Sequence, residues 1–261
     1  MKDQNKRIEM NSQVSIKTEQ SAETLDYVTV RGLEYDNKSK NLIVYLPGNK
    51  RGILPYKEAS IFPYKFSKNR VSNIPIQISQ LLNHNVKAKV IGNSDDGSIV
   101  VSRRAVQEEF LNDLSVGKIV DAEIWNIADF GLFVNLGEGV LALLPVINIS
   151  RARIFKLANW FSVGDKIKVT VTKIDLEPEV RIEVSRKELY SAIYDKGEIV
   201  EVKICAKHDK TSYFVEIDPS STGIMDIDDL PIPEFEEGTK VMAQIRSRKL
   251  DGHYKLDLLP I

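Results

Sequence analysis

Ile119–Ile127 (IVDAEIWNI), Phe130–Leu136 (FGLFVNL), Gly139–Val146 (GVLALLPV), Lys166–Ile174 (KIKVTVTKI) and Val180–Ser185 (VRIEVS) decide the fold class. They are five short apolar-rich runs separated by Gly, Asp, Glu and Pro, the punctuation expected between β-strands. In Lys166-Ile-Lys-Val-Thr-Val-Thr the apolar residues share one face and Lys and Thr the other, the pattern of a half-buried antiparallel strand. Between the third and fourth runs, Ile154, Leu157, Trp160 and Phe161 are spaced for one apolar side of a short helix within Asn148–Phe161.

Three strands, a helix and two strands is the order of an OB-type barrel. The same plan fits on either side. Tyr27–Tyr35, Asn41–Leu46, Arg51–Tyr56, Val86–Gly92 and Ser98–Arg104 precede it, with a longer insert at Ala59–Asn83. Glu198–Ala206, Ser212–Ile217, Thr222–Ile227, Lys240–Ser247 and His253–Leu259 follow, with the short connector Pro231–Gly238. The expectation is an all-β chain of three tandem five-stranded OB-fold barrels with short connecting helices. The expected segments are a polar, flexible tail at 1–26, a basic module at 27–107, a central module at 116–189 and an acidic module at 196–261. The periodicity of Arg104–Leu114 predicts a helix that would act as a stiff joint between the first two modules.

Composition narrows the function. Net charge is only -1, but it is unevenly spread: residues 27–107 carry 13 Lys/Arg against 5 Asp/Glu, and residues 196–261 carry 9 against 13. A polyanion would favour the first of these regions. The single cysteine, Cys205, excludes an internal disulfide and fits a reducing cytoplasm. The first residues lack the apolar core of a signal peptide, and no later run reaches membrane-spanning length, so neither export nor a membrane partner is expected. His84, His208 and His253 lack metal-ligand spacing and read as surface or turn residues. Asp129-Phe-Gly stands without the other parts of a kinase site. No catalytic residue, metal site or cofactor is expected.

The central runs, with Val116-Gly-Lys-Ile-Val, Val163-Gly-Asp-Lys-Ile-Lys-Val and Arg181-Ile-Glu-Val-Ser-Arg-Lys-Glu-Leu, resemble the S1 RNA-binding domain family through nearly a whole module. Gly97–Val106 and Arg51-Gly-Ile-Leu-Pro extend the resemblance to the first module. Gly197–Glu201, Tyr213–Ile217 and Gly223–Ile227 extend it more thinly to the third. The resemblance implies RNA lying across the exposed strands. Its two aromatics would be Phe130 and Phe133, and its later acidic and basic positions Asp175 and Arg181. Where the family has a histidine, this chain has Pro145.

Residue chemistry bears on the same positions. Single-stranded nucleic acid is held by rings that stack on bases and cations that track phosphates. Alternation puts Phe133 and Asn135 on the solvent side of their strand and Leu132 and Val134 on the core side. Phe130 falls on the core side by the same count, unless a bulge at Gly131 re-aims it. Arg151, Arg153 and Lys156 follow the third strand as candidate cations, with a solvated helix face as the alternative. Trp160 reads as packing, and Trp125 as exposed beside two carboxylates; both are left out of the site. In the first module Lys40 and Ile43 occupy the aromatic positions, so Lys40, Lys50, Arg51, Arg103 and Arg104 would grip phosphates without stacking. The third module has Tyr213 and Phe214, but its acidic runs suit docking or a structural role. The partner expected is single-stranded, mRNA-like RNA in bacterial translation or RNA metabolism, with ribosomal or RNA-processing proteins as further partners. The alternative is a protein-interaction scaffold or regulatory subunit of a ribosome, polymerase or nuclease assembly.

Overall fold

The strands pair as the alternation demands. In the computed structural model, which describes residues 27–36, 38–62, 76–187, 189–190, 192–227 and 234–259, three closed five-stranded barrels follow one another. The first is built from β1 (Tyr27–Asp36), β2 (Asn41–Leu46), β3 (Lys50–Pro55), β4 (Asn85–Asn93) and β5 (Ile99–Ser102). The second uses β6 (Ile119–Ala128), β7 (Gly131–Asn135), β8 (Leu141–Pro145), β9 (Lys166–Asp175) and β10 (Arg181–Ser185). The third uses β11 (Ile199–Lys207), β12 (Ser212–Asp218), β13 (Ser221–Asp226), β14 (Lys240–Arg248) and β15 (Tyr254–Leu258). In each barrel the first strand pairs antiparallel with the second and the fourth. The third and fifth strands then close the ring in parallel. Closure leaves no open sheet edge.

Inward residues are those the alternation selects: Leu42, Val44 and Leu54 in the first barrel, Ile124, Leu132, Val134 and Leu144 in the second, Ile204, Val215 and Met225 in the third. Each first strand carries a bulge that shifts its register against the second strand, at Gly32/Glu34, Ile124/Asn126 and Ile204/Ala206. An added residue there bends the strand and lets a short barrel close.

The chain divides into two compact units, residues 1–112 and 113–261, so the second and third barrels share one unit. In the first unit, α1 (Ile76–Ser79) brings the buried Ile78 into the core beside Leu81. The predicted helix forms as α2 (Arg103–Asn112). It is held by its own barrel: Ser102 Oγ caps it by accepting from Ala105 N at 2.9 Å, and buried Gln107 accepts from Ile61 N at 3.0 Å. The tail at 1–26, the middle of the Ala59–Asn83 insert and residues 228–233 of the third module, with Asp228 and Asp229, lie outside the described residues.

The helix expected within Asn148–Phe161 is replaced by two 3₁₀ turns, Val146–Asn148 and Leu157–Asn159, joined by an irregular, bent segment. Three of its four apolar residues still bury, Leu157, Trp160 and Phe161 each being below one tenth exposed, while Ile154 is half-buried. The reason is tertiary. Glu237 Oε1 of the third barrel accepts from Phe155 N (2.7 Å), Lys156 N (3.2 Å) and Trp160 Nε1 (3.0 Å), so these groups are satisfied without helical bonds.

Candidate nucleic-acid interface

Along β7, Leu132 and Val134 are buried while Phe133 and Asn135 face outward, half-exposed. Phe130 departs from the alternation, and the expected cause is corrected. The bulge lies in β6 at Trp125, and Phe130 sits before β7 in the two-residue turn Asp129–Phe130 between Ala128 and Gly131. Free of strand parity, its ring is 59% exposed. It meets Phe133 edge to face, with centroids 5.9 Å apart and planes at 90°. Gly131 is required where it stands, because a Cβ would collide with the Leu144 carbonyl oxygen. The two rings therefore form an outward aromatic pair, flanked by Asn126 and Leu143 across the register from Phe133.

Beyond Leu143 the register continues to Glu183 and Lys173, and one row away it places Arg181 across from Asp175. Arg181 is exposed, 3.6 Å from Glu179, while Lys173 Nζ lies 2.6 Å from Asp175 Oδ2. That bond to Asp175 holds the Lys173 ammonium above its ordinary pKa, so it keeps its charge. Asn135 is committed to the turn after β7, where its Oδ1 accepts from Gly137 N at 3.0 Å. Pro145 stands across from Gly131. Val146 N donates to Phe130 O at 2.9 Å, leaving Val146 and Ile147 exposed beside the aromatic pair.

Arg151, Arg153 and Lys156 are exposed, but they belong to the segment that seats the third barrel. Arg151 N donates to Pro219 O at 2.8 Å, Lys156 N donates to Glu237, and the Arg153 guanidinium lies over Phe155 at 4.7 Å. Among the described residues no ring contact joins these cations to Phe130 or Phe133. The joint continues inward. Lys203 lies over the Trp160 ring at 4.8 Å, Gly238 abuts Asn159, and Glu216 is buried near Ser150, Arg186 and Lys203. Burial pushes the Glu216 carboxyl up and the Lys203 ammonium down.

In the first unit Lys50 and Arg51 are exposed at the start of β3, and Lys40 lies over the Tyr56 ring at 5.7 Å. Two other expected phosphate contacts have structural duties. Half-buried Arg103 donates from Nη1 to Ala59 O at 3.1 Å, and Arg104 Nε pairs with Glu108 at 2.7 Å along the helix. In the third barrel Tyr213 is core. Phe214 is outward and 44% exposed, at the register position of Phe133 just past the bulge. His208 meets it edge on at 4.6 Å, with Nδ1 2.9 Å from Ser212 Oγ. The alternation in Tyr213-Phe-Val-Glu carried that signal, which the weak resemblance of this module hid. Among the described residues no group of three His, Cys, Asp or Glu could hold a metal ion, and no helix is long and apolar enough to cross a membrane.

Closed five-stranded barrels that carry outward rings on the second strand define the class of oligonucleotide-binding barrel proteins. Within that class residues 113–187, which span the second barrel, match the S1 RNA binding domain family. A protein of Clostridium acetobutylicum named 4-hydroxy-3-methylbut-2-enyl diphosphate reductase is 30% identical over 246 residues, which cover 81% of this chain and 36% of that protein. The small ribosomal subunit protein bS1 of Leuconostoc lactis is 30% identical over 181 residues, covering 63% and 42%. The bS1 homolog of Bacillus subtilis is 28% identical over 173 residues, covering 58% and 44%. The chain thus spans less than half the length of these relatives. A crystal structure of a multidomain protein with nucleic acid binding domains from Streptococcus pneumoniae covers 90% of this chain and 74% of its own. It is 12% identical with a TM-score of 0.32.

Proposed function

We propose that this chain binds single-stranded, mRNA-like RNA in the cytoplasm, in translation or RNA metabolism, and that it acts by binding without turning over a substrate. The observation that carries the reading is the outward Phe130–Phe133 pair on the barrel that matches the S1 family. Bases splayed from an unstructured strand can stack on such rings, whereas a duplex hides them. The site comprises Phe130 and Phe133 with Asn135, Asp175 and Arg181 around them, and with Arg151, Arg153 and Lys156 as more distant cations. The module at 27–107 adds electrostatic grip through Lys40, Lys50 and Arg51, the module at 116–189 contacts bases, and the module at 196–261 is mainly structural.

The relatives named as ribosomal proteins support a place on or near the ribosome. Those named as a reductase support a second reading, in which such barrels accompany an enzyme as an interaction or regulatory part. The burial of Lys203 and Glu216 against the second barrel favours a docking role for the third module. Fluorescence polarisation with matched unstructured RNA and DNA oligomers at two salt concentrations tests the leading reading. Affinity should fall with log salt at a slope of about -0.7 per phosphate neutralised, and RNA should bind at least as well as DNA. No salt-dependent binding of either oligomer refutes it and leaves the docking reading.

A further inference from the structure

Each barrel has an equivalent row of side chains at the same register, the second pair before the bulge. In the first barrel it reads Asn85, Arg31, Tyr45, Arg51 from β4 through β1 and β2 to β3. In the second it reads Lys166, Glu123, Asn135, Leu141, and in the third Lys240, Lys203, Glu216, Thr222. The frame is shared but the row has three chemistries. A carboxylate stands in the second barrel where the first has Arg31. In the third barrel the middle of the row is buried against the second.

In the first barrel all four residues are exposed, and the Tyr45 ring is 45% exposed. Directly opposed residues on one face of a sheet bring their Cβ atoms within about 5 Å. The register therefore sets Tyr45 between Arg31 and Arg51 on one face of the sheet, the two arginines on strands about 10 Å apart. Among the described residues neither Arg31 nor Arg51 has an ion pair. Lys50 precedes Arg51 on β3, and exposed Lys87 lies two residues beyond Asn85 on β4. The nearest carboxylate by register, Glu34, stands in the next row across from Ile43.

We propose that Arg31, Tyr45 and Arg51 form a nucleotide-binding subsite for single-stranded RNA, with a base stacked on the Tyr45 ring and a guanidinium on the phosphate at each side. The first module then contacts a base at a position two residues beyond Ile43, which with Lys40 occupies the family's two aromatic positions here. A guanidinium pairs with phosphate through its planar donors, and an exposed ring flanked by two of them has an unfilled face for a base. The inference rests on the reading of the chain as an RNA binder.

The test uses the full chain, an unstructured RNA and four variants: Tyr45→Ala, Tyr45→Phe, the double Arg31→Ala/Arg51→Ala, and Phe133→Ala. Tyr45→Ala should weaken binding by about five- to a hundredfold, and Tyr45→Phe should restore it, because the stack needs the ring and not the hydroxyl. The double arginine variant should weaken binding and shrink the salt slope by about 1.4, two phosphates' worth. Photocrosslinking with 5-bromouridine RNA should label the peptide that contains Tyr45. If wild type binds RNA and Phe133→Ala weakens it while Tyr45→Ala and the arginine double do not, this subsite is overturned and the general RNA reading stands. If wild type binds no RNA, both fall. If polyglutamate binds wild type but not the arginine double, with RNA binding unaffected, the row belongs to an acidic protein partner instead.

Discussion

Removing Phe130 separates recognition from stability better than any other single change at the interface. Its ring is 59% exposed, so truncation to alanine gives up little buried surface. What the fold loses is mainly the edge-to-face contact with Phe133, about 0.5–1.5 kcal/mol. What RNA loses is a stacking platform, about 1–3 kcal/mol, or roughly five- to a hundredfold in Kd. Phe133 is half-buried between Asn126 and Leu143, so Phe133→Ala should cost about 1–2 kcal/mol of stability besides a similar loss of binding. Because the rings touch, the double variant should lose less binding than the two single losses added together. Neither change removes a charge, so the slope of log Kd against log salt should stay as in wild type. Fluorescence polarisation at two salt concentrations reads binding, and urea unfolding reads stability. The reasoning is refuted if Phe130→Ala binds an unstructured RNA as tightly as wild type, or if its lost affinity is no larger than its lost folded fraction accounts for.

The joint between the second and third barrels makes two further predictions. Glu237→Ala removes one carboxylate oxygen that accepts three hydrogen bonds and should lower the stability of the 113–261 unit by about 2–3 kcal/mol, read as a lower urea midpoint; an unchanged midpoint would show that water replaces it at no cost. Burial raises the Glu216 carboxyl above 4.5, so the folded state holds that proton more tightly than the unfolded chain; the resulting stability is complete below 4.5 and is lost as pH rises through the raised value. Wild type should therefore lose stability relative to Glu216→Gln as pH rises across that window in thermal unfolding. The opposite drift would mean that Arg186 and Lys203 outweigh the burial.

Strands were legible in the sequence because their faces are set locally. In β9 the alternation of Lys166-Ile-Lys-Val-Thr-Val states which side meets the core, and a barrel has nowhere else to put Ile167, Val169 and Val171. The aromatic on the second strand was legible for the same reason. Phe130 was not, since its exposure depends on the turn beginning one residue before parity applies. The helix expected at Asn148–Phe161 failed for a non-local cause. Leu157, Trp160 and Phe161 have helical spacing, but the donors of Phe155 and Lys156 are claimed by Glu237 from some 80 residues away. Arg103 and Arg104 counted as surface charge in the sequence; the fold commits one to the Ala59 carbonyl and the other to Glu108. Tyr45 escaped notice because only the register of β1, β2 and β3 sets it between Arg31 and Arg51, residues 14 and 6 positions away in the chain.

The common row also shows how one barrel frame yields modules with different duties. Inward positions are constrained by closure and packing, so Val44, Val134 and Val215 recur at equivalent places in the second strands. The next residue outward, Tyr45, Asn135 or Glu216, carries no such constraint, and the three differ in ring, amide and carboxylate. The carboxylate is the costly choice. A buried Glu216 demands Ser150, Arg186 and Lys203 around it, which fixes the third barrel against the second and withdraws that strip from any other ligand. Phe214 lies one row further along, with His208 edge-on to it, and both stay exposed. Docking has therefore consumed only part of the third barrel's outer strand face. A Phe214→Ala variant that leaves RNA affinity unchanged would place this barrel wholly on the structural side, whereas a loss comparable to that of Phe130→Ala would extend the RNA surface across it.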